Sequence, residues 1–443
     1  MARGSLKLVI VLSFFILAVA AFGQEAKIPR MTLKSFHPAA TDANEAMTRI
    51  TAVENGAALG APNPIQFTHW GFTVRSSRDG NTYSGIMVGN RALNGGFRPS
   101  AVPVEIVPVI VNTVALGTAV DPKTLAITVE TGNPNDNTTF NPTAADNSCL
   151  VSPNNIPVTV MRDSPLFRSA DFNFGGTDVG TTQAIDAFQR ANFWNTIDHS
   201  TYHVLLSPVR VLPAITLNAP SPEKGSGGLA LDLPTLIPGF CGRIALVDIF
   251  TIDNFVTSQF ASLLSQGVNP SNLPIFMFYN TAFPIGDPTS LFNCCAAGYH
   301  NAVNVGTKAN PVIQTYSPED FDMTGFFINF SGSPVLDVEI ASHELGEWMD
   351  DPLGNNPVPA WGNTGQVQGF CQNNLEVGDP LTGDEAPRIA MPNGFTYHLQ
   401  ELAFFSWFYG SVNGGPSSVG VHRWFSDDGT FLTNAGPVCQ TSH

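Results

Sequence analysis

Basic side chains are scarce in this chain: 20 Lys and Arg stand against 36 Asp and Glu, a formal net charge of -16. A surface so short of cations is a poor partner for nucleic acid or an anionic membrane, whose phosphates draw in positive patches. Charged residues of both signs make up only 13%, against roughly 25% in an ordinary soluble domain, so charge-laced solvated helices are not its main material. Long apolar runs are equally rare. The run from Leu8 to Phe22 falls short of the roughly twenty residues that cross a bilayer, and no later stretch is long and apolar enough to serve. There is no G-x-S-x-G elbow, glycine-rich phosphate loop or catalytic-cysteine signature, and no CxxC pair or zinc-ribbon spacing. Serine-elbow hydrolysis, nucleotide cradling and dithiol redox chemistry therefore lack their usual carriers.

Arg3 and Lys7 precede the apolar run, and Ala21-Phe22-Gly23 ends it, the layout of a secretory signal peptide over residues 1 to 23. Export as a soluble, extracellular protein is predicted, with a periplasmic or cell-surface location also compatible and no membrane span once the leader is cleaved. Removing Arg3 and Lys7 leaves 18 basic against 36 acidic side chains, or -18. All six cysteines (Cys149, Cys241, Cys294, Cys295, Cys371, Cys439) lie beyond residue 23, where oxidation predicts three disulfides. A bond between the neighbours Cys294 and Cys295 would be strained, so each is expected to reach a different partner or one to stay free.

Gly and Pro together supply 74 residues (40 and 34), which predicts a loop-rich, strand-rich chain. Its length favours two closely associated units: a β-rich, irregular region over 24 to 100 and an α/β metallopeptidase-like domain over 101 to 443. Strand patterns run over Gln66 to Val74, Tyr83 to Val88 and the β-branched VPVEIVPVIVNT, with turns from Asp121 to Pro157. A helix is predicted from Thr181 to about Ile197, and SPEKGSGG (221 to 228) reads as an exposed loop. Strand Arg243 to Phe250, helix Asp253 to Gln266 closed by Gly267, and strand Pro274 to Tyr279 read as a βαβ unit. Strands Val312 to Tyr316 and Gly325 to Phe330 follow. The predicted class is α+β (or α/β), a mixed sheet with packed helices.

The chemistry-bearing stretch is SPVLDVEIASHELGEWMDDP, residues 333 to 352. Ser333 is a candidate cap, Pro334 suits a first turn, and Pro352 discourages Asp351 from helical geometry. At 100 degrees per residue Val335, Val338, Leu345 and Met349 share one side, while Leu336, Ile340, His343 and Glu347 fall near the opposite one, so both sides face protein. His343 and Glu347, one turn apart, converge on one cation, with Glu344 beside it as general base: an HExxH helix with glutamate as its second ligand. A carboxylate ligand acidifies bound water less, so besides Zn²⁺ the set admits Mn²⁺ or Ca²⁺. Glu376 is the favoured third ligand, with Asp379, His300 and Asp351 as alternatives; Asp351, two turns along, joins only if the helix breaks.

HELGEWMDDP, then Pro359-Ala360-Trp361-Gly362, then Leu375-Glu376-Val377-Gly378-Asp379, resembles in order the conserved pattern of the secreted exordium or phosphate-induced family and its bacterial relatives. CCAAGYH and YHLQE (Tyr397 to Glu401) are similar to further segments of that family, and the likeness covers roughly 270 to 440. It implies a secreted, surface- or wall-associated protein with a peptidase-like helix. Here DDP replaces Thr-Asp/Asn-Pro, and Cys371 precedes the acidic pair where a cysteine commonly follows it. A bridge from Cys371 to Cys294 or Cys295 would then bring the Glu376 and His300 loops to the helix.

Two other groups are weaker. His199 and His203 at i, i+4 are a second metal candidate, and Phe404, Phe405, Trp407, Phe408 and Tyr409 read as core rather than a carbohydrate platform. The expectation is a secreted zinc metallopeptidase-like hydrolase acting on a protein or peptide, with His343, Glu347 and Glu376 on the ion and Glu344 on its water. The alternative is a catalytically silent extracellular protein holding a structural cation or none.

Overall fold

The computed structural model describes residues 31–32, 63–93, 97–133, 137–145, 155–174, 177–197, 200–222, 226–236, 242–328, 333–361, 372–382, 385–386 and 388–410. The leader expected over 1 to 23 lies outside them, as do Cys149, Cys241, Cys371, Cys439, His199 and the middle of the SPEKGSGG loop. Among the described residues no helix is long and apolar enough to cross a membrane.

A hairpin of β1 (His69–Arg75) and β2 (Thr82–Val88) precedes the long strand β3 (Pro99–Thr113). Helix α1 (Ala184–Asn192), strand β4 (His203–Val211), helix α2 (Ile249–Leu263), and strands β5 (Leu273–Tyr279), β6 (Asn301–Asn304) and β7 (Ile313–Phe321) follow, ending in helix α3 (Glu339–Asp350). The main sheet runs β4-β3-β5-β7-β6, with Ile215–Asn218 and Thr138–Phe140 against the far half of β3. Its pairs are parallel except for β6 on β7 and Thr138–Phe140 on β3, so the class is α+β with a mixed sheet.

Strand β3 can lie inside the sheet because its Val/Ile run is covered on both faces, as parallel strands require. Pro103 removes a ladder donor there. The β4 register slips at that point, with Leu206 opposite Val102 but Val209 opposite Val104, so a bulge faces the proline. Alternation along β5 sends Ile275 and Met277 to one core and Phe276 and Phe278 to another. The first core also takes Phe188 of α1, Leu345, Trp348 and Met349 of α3, and the aromatics Phe404, Phe405, Trp407, Phe408 and Tyr409. The second takes Ile252, Val256 and Phe260 of α2. Fully burying such side chains contributes about 1.5–3 kcal/mol each.

Several expectations change. The helix over Thr181 to Ile197 is two pieces, α1 and Trp194–Ile197, separated at Phe193. Strand Arg243–Val247 and helix α2 do occur, with Gly267 left-handed at φ 94 after the closing turn. They do not form a single-sheet βαβ unit: Arg243–Val247 belongs to a separate five-stranded sheet, beside Gly228–Asp232 and Thr281–Ala282, while β5 is in the main one. The hairpin β1-β2, placed by sequence in a separate N-terminal region, shares the core of α3. Asn356 ties them: its Oδ1 accepts from Ile86 N at 3.0 Å, and its Nδ2 donates to Ile86 O at 2.6 Å and to Asp350 O at 2.7 Å.

Helix α3 starts at Glu339, not at Ser333. Pro334 and Asp337 are taken up in extended bridges to Ile328 and Asp322, and Asp337 sits in the left-handed region at φ 43. Its end is as expected, with Asp351 leaving helical geometry before Pro352 (φ -140). Cys294 and Cys295 are bonded to each other, across a cis peptide that sets their Cα atoms 3.1 Å apart. This overturns the expectation of separate partners, and leaves neither sulfur for a bridge to Cys371.

Candidate metal centre

All twelve residues of α3 are buried, so its ionisable side chains meet protein, as the two-sided apolar pattern requires. His343 Nε2 lies 3.1 Å from Glu347 Oε1 one turn on, and 3.6 Å from Asp379 Oδ1, which arrives on the loop after Gln372–Asn374. Donors bound at about 2.0–2.2 Å in tetrahedral geometry stand roughly 3.3–3.6 Å from one another. The three atoms are thus spaced as ligands of one small cation. Glu344 Oε1 is 4.0 Å from His343 Nε2, at the rim of this group.

The imidazole is aimed by neighbours. His343 Nδ1 lies 2.9 Å from Gln400 Oε1, and Gln400 Nε2 donates to Gly378 O at 2.7 Å and Glu401 O at 3.3 Å. Two carbonyls on the amide nitrogen settle which end of Gln400 faces the ring. His343 therefore carries a proton on Nδ1, which leaves Nε2 as the atom a cation would take, the outer-shell arrangement common to metal-binding histidines. Gly378 packs flat against the ring: a Cβ there would stand 2.6 Å from His343 Cγ. Its N–H and that of Asp379 each donate to Glu347 Oε1 at 3.1 Å, orienting that carboxylate.

Glu376, the favoured third ligand, does not join His343. It groups instead with His300 and Glu347, while Asp379 completes the group of His343 and Glu347. The expected set is thus divided between two groups that share Glu347, because the loop carrying Glu376, Gly378 and Asp379 runs along α3 and puts its acids at different heights. Asp351 has another task. Its carboxylate accepts from Asn355 N at 2.9 Å and Asn356 N at 2.8 Å, and its carbonyl from His300 Nε2 at 3.0 Å. His203, from the weaker candidate pair, binds Asp186 at 2.7 Å away from this centre.

Three participants carried no readable role in the sequence. Gln400 lies in YHLQE, which drew notice only by resemblance. Glu319 sits on β7, beyond the predicted strand end at Tyr316, buried to 1% exposure. Gly298 lets it in: a Cβ there would stand 2.9 Å from Glu344 Cγ and 3.1 Å from Glu319 Oε2. An acid inside an otherwise hidden strand is the signal that could have found Glu319.

Electrostatics mark the centre as rich in negative charge. Burial pulls the His343 pKa down, yet the Glu347 and Glu344 carboxylates outweigh it and hold it well above the ordinary histidine value. For Glu376 burial comes first, then Glu347 and Asp351, all pushing it well above the carboxylate range. Burial and then Glu344 raise Glu319 likewise. Glu347 is lowered, burial being outweighed by His343. The two groups of buried His, Glu and Asp donors can hold a metal ion. Compared with protein-family models, curated proteins and solved structures, the chain matches none of them.

Proposed function

We propose that the chain is an exported metal-dependent hydrolase of zinc-metallopeptidase type, acting on amide bonds of a protein or peptide. The observation that carries this is the convergence of His343 Nε2 with Glu347 Oε1 at 3.1 Å and Asp379 Oδ1 at 3.6 Å, with Glu344 at the rim. The similarity of HELGEWMDDP and its following segments to the exordium family belongs to the same proposal.

His343, Glu347 and Asp379 would hold the ion, which supplies charge to polarise a carbonyl and acidify water. Glu344 takes the proton from the attacking water. As the water oxygen joins the carbonyl carbon and the C–N bond breaks, Glu344 returns that proton to the leaving amine. Solvent reaches the centre on this side: the side chains of His343 and Glu344 are each 10% exposed, against 1% for Glu347 and Asp379. Gln400 keeps the ring from turning, and Gly378 leaves room for it.

The same 10% favours the second reading, a silent extracellular protein with a structural ion, because a protein substrate needs a wider mouth. Metal analysis beside cleavage of a mixed protein substrate, on wild type and Glu344→Gln, separates the two. The hydrolase reading expects both proteins to hold metal and the variant to lose at least about 100-fold in rate. Wild type without metal and without cleavage overturns it, and metal without cleavage selects the silent protein.

A further inference from the structure

We infer that the centre takes two divalent cations bridged by Glu347, the second held by His300, Glu347 and Glu376 behind the first. This rests on the first ion being held by His343, Glu347 and Asp379, and it explains why Glu376 is present without reaching His343.

The two oxygens of Glu347 face opposite ways. Oε1 turns to His343 and Asp379, and Oε2 lies 3.7 Å from His300 Nδ1. A carboxylate with a nitrogen donor waiting on each oxygen is arranged as a bridge. His300 can be used as a ligand in the same way as His343: its Nε2 lies 3.0 Å from the Asp351 carbonyl, which can only accept, so Nε2 carries a proton, and an ion would take Nδ1, which faces Glu344 Oε2 at 3.5 Å and Glu347 Oε2 at 3.7 Å. Glu376 supplies the third donor: the ligand atoms offered by His300, Glu347 and Glu376 all lie within 4.8 Å of one another. The 3.7 Å from His300 Nδ1 to Glu347 Oε2 is wider than the 3.1 and 3.6 Å around His343, so the rear position suits a larger, oxygen-preferring ion such as Mn²⁺ or Ca²⁺.

Burial and charge point the same way. The rear side chains are sealed, at 2% for His300, 1% for Glu347 and 0% for Glu376. A closed rear ion and a solvent-reached front ion are what a structural and a reactive position require. Glu319, Glu344, Glu347, Glu376 and Asp379 bring five carboxylates to two imidazoles. Fully ionised they carry five negative charges, of which one dication leaves three and two leave one. Glu319 Oε2 is buried with no hydrogen-bond partner among the described residues, and it lies against Glu344 at Gly298.

The test is Mn²⁺ titration of the metal-free full-length mature protein, read by metal analysis and electron paramagnetic resonance. Wild type is expected to bind two Mn²⁺ per chain, the second converting the isolated-ion spectrum into that of an exchange-coupled pair. Glu376→Gln and His300→Ala are each expected to stop at one, with the isolated spectrum kept. One ion in wild type, or two without coupling, overturns the bridged pair; a single ion together with Glu344-dependent cleavage would leave the hydrolase reading standing. Two coupled ions in Glu376→Gln overturn the ligand assignment, and no uptake at all overturns both readings. The wild-type spectrum needs no variant, so a variant that fails to fold does not blunt the test.

Discussion

Adding one methyl group at Gly378 should disable metal binding without altering a ligand. The backbone there has φ -81 and ψ -38, open to any residue, so alanine meets no conformational penalty. It should even gain about 0.4–1 kcal/mol by restricting the unfolded chain. Against this, the new Cβ would lie 2.6 Å from His343 Cγ and 2.7 Å from both Cδ2 and Nδ1. Ordinary carbon contacts are about 3.5–4.0 Å, so ring and loop must part by about 1 Å, at a typical overpacking cost of about 1–3 kcal/mol. The ring is held by Gln400 on one edge and the loop by Gln400 on the other, so the separation strains both of those bonds. A donor atom displaced by about 1 Å cannot keep a bond of about 2.0–2.1 Å, and losses comparable to those of outer-shell mutants, about 10–100-fold in affinity, are expected. Zn²⁺ competition against a chromophoric chelator would read the affinity, and urea unfolding of the metal-free protein the packing cost. Gly378→Ala with wild-type affinity and raised stability would refute the reasoning, since only the backbone gain would then remain.

Gln400→Ala should also cost about 10–100-fold in Zn²⁺ affinity by freeing the imidazole, as the same chelator competition would show. Asn356→Ala should destabilise the metal-free fold by about 3 kcal/mol or more in urea titrations, because Ile86 N, Ile86 O and Asp350 O are left buried without their partner. For Asp350, burial raises the carboxyl from 3.8 to about 7, against hydrogen bonds from Gln189 and Asn192 that lower it. The folded state therefore holds the proton more tightly, so this contribution to stability is complete below about pH 3.8 and lost as pH rises through about 7. Asp350→Asn should flatten the fall in unfolding free energy between about pH 4 and 7; an unchanged slope would contradict the assignment.

The motif helix was legible because its apolar and ionisable residues repeat at helical spacing, and its two apolar sides did meet different cores, Leu345 and Met349 the first and Ile340 a third, which it shares with Leu231 and Leu246. Strands β3 and β5 announced themselves through Val, Ile and Phe. Sheet membership did not: nothing local to Arg243–Val247 tells it from β5, since partner choice is a long-range matter. Strand β7 ran past its predicted end because Ser317, Glu319 and Asp320 look like loop and are buried. The start of α3 was misplaced because Ser333-Pro334 is a good local signal that bridging of Pro334 and Asp337 overrides. Among the ligands, the helical pair His343 and Glu347 follows from spacing alone. Choosing between Glu376 and Asp379 needed the path of the loop from Leu375 to Gly378, and Gln400 needed a contact 57 positions away.

The central claim is that His343, Glu347 and Asp379 hold an ion. It is tested most directly by metal analysis of the mature wild-type protein, loaded with Zn²⁺ and dialysed exhaustively, beside Asp379→Asn treated identically. The predicted result is Zn²⁺ retained at one or more per chain in wild type and at least one fewer in the variant. Wild type emptied by dialysis, or a variant that retains as much as wild type, would contradict it.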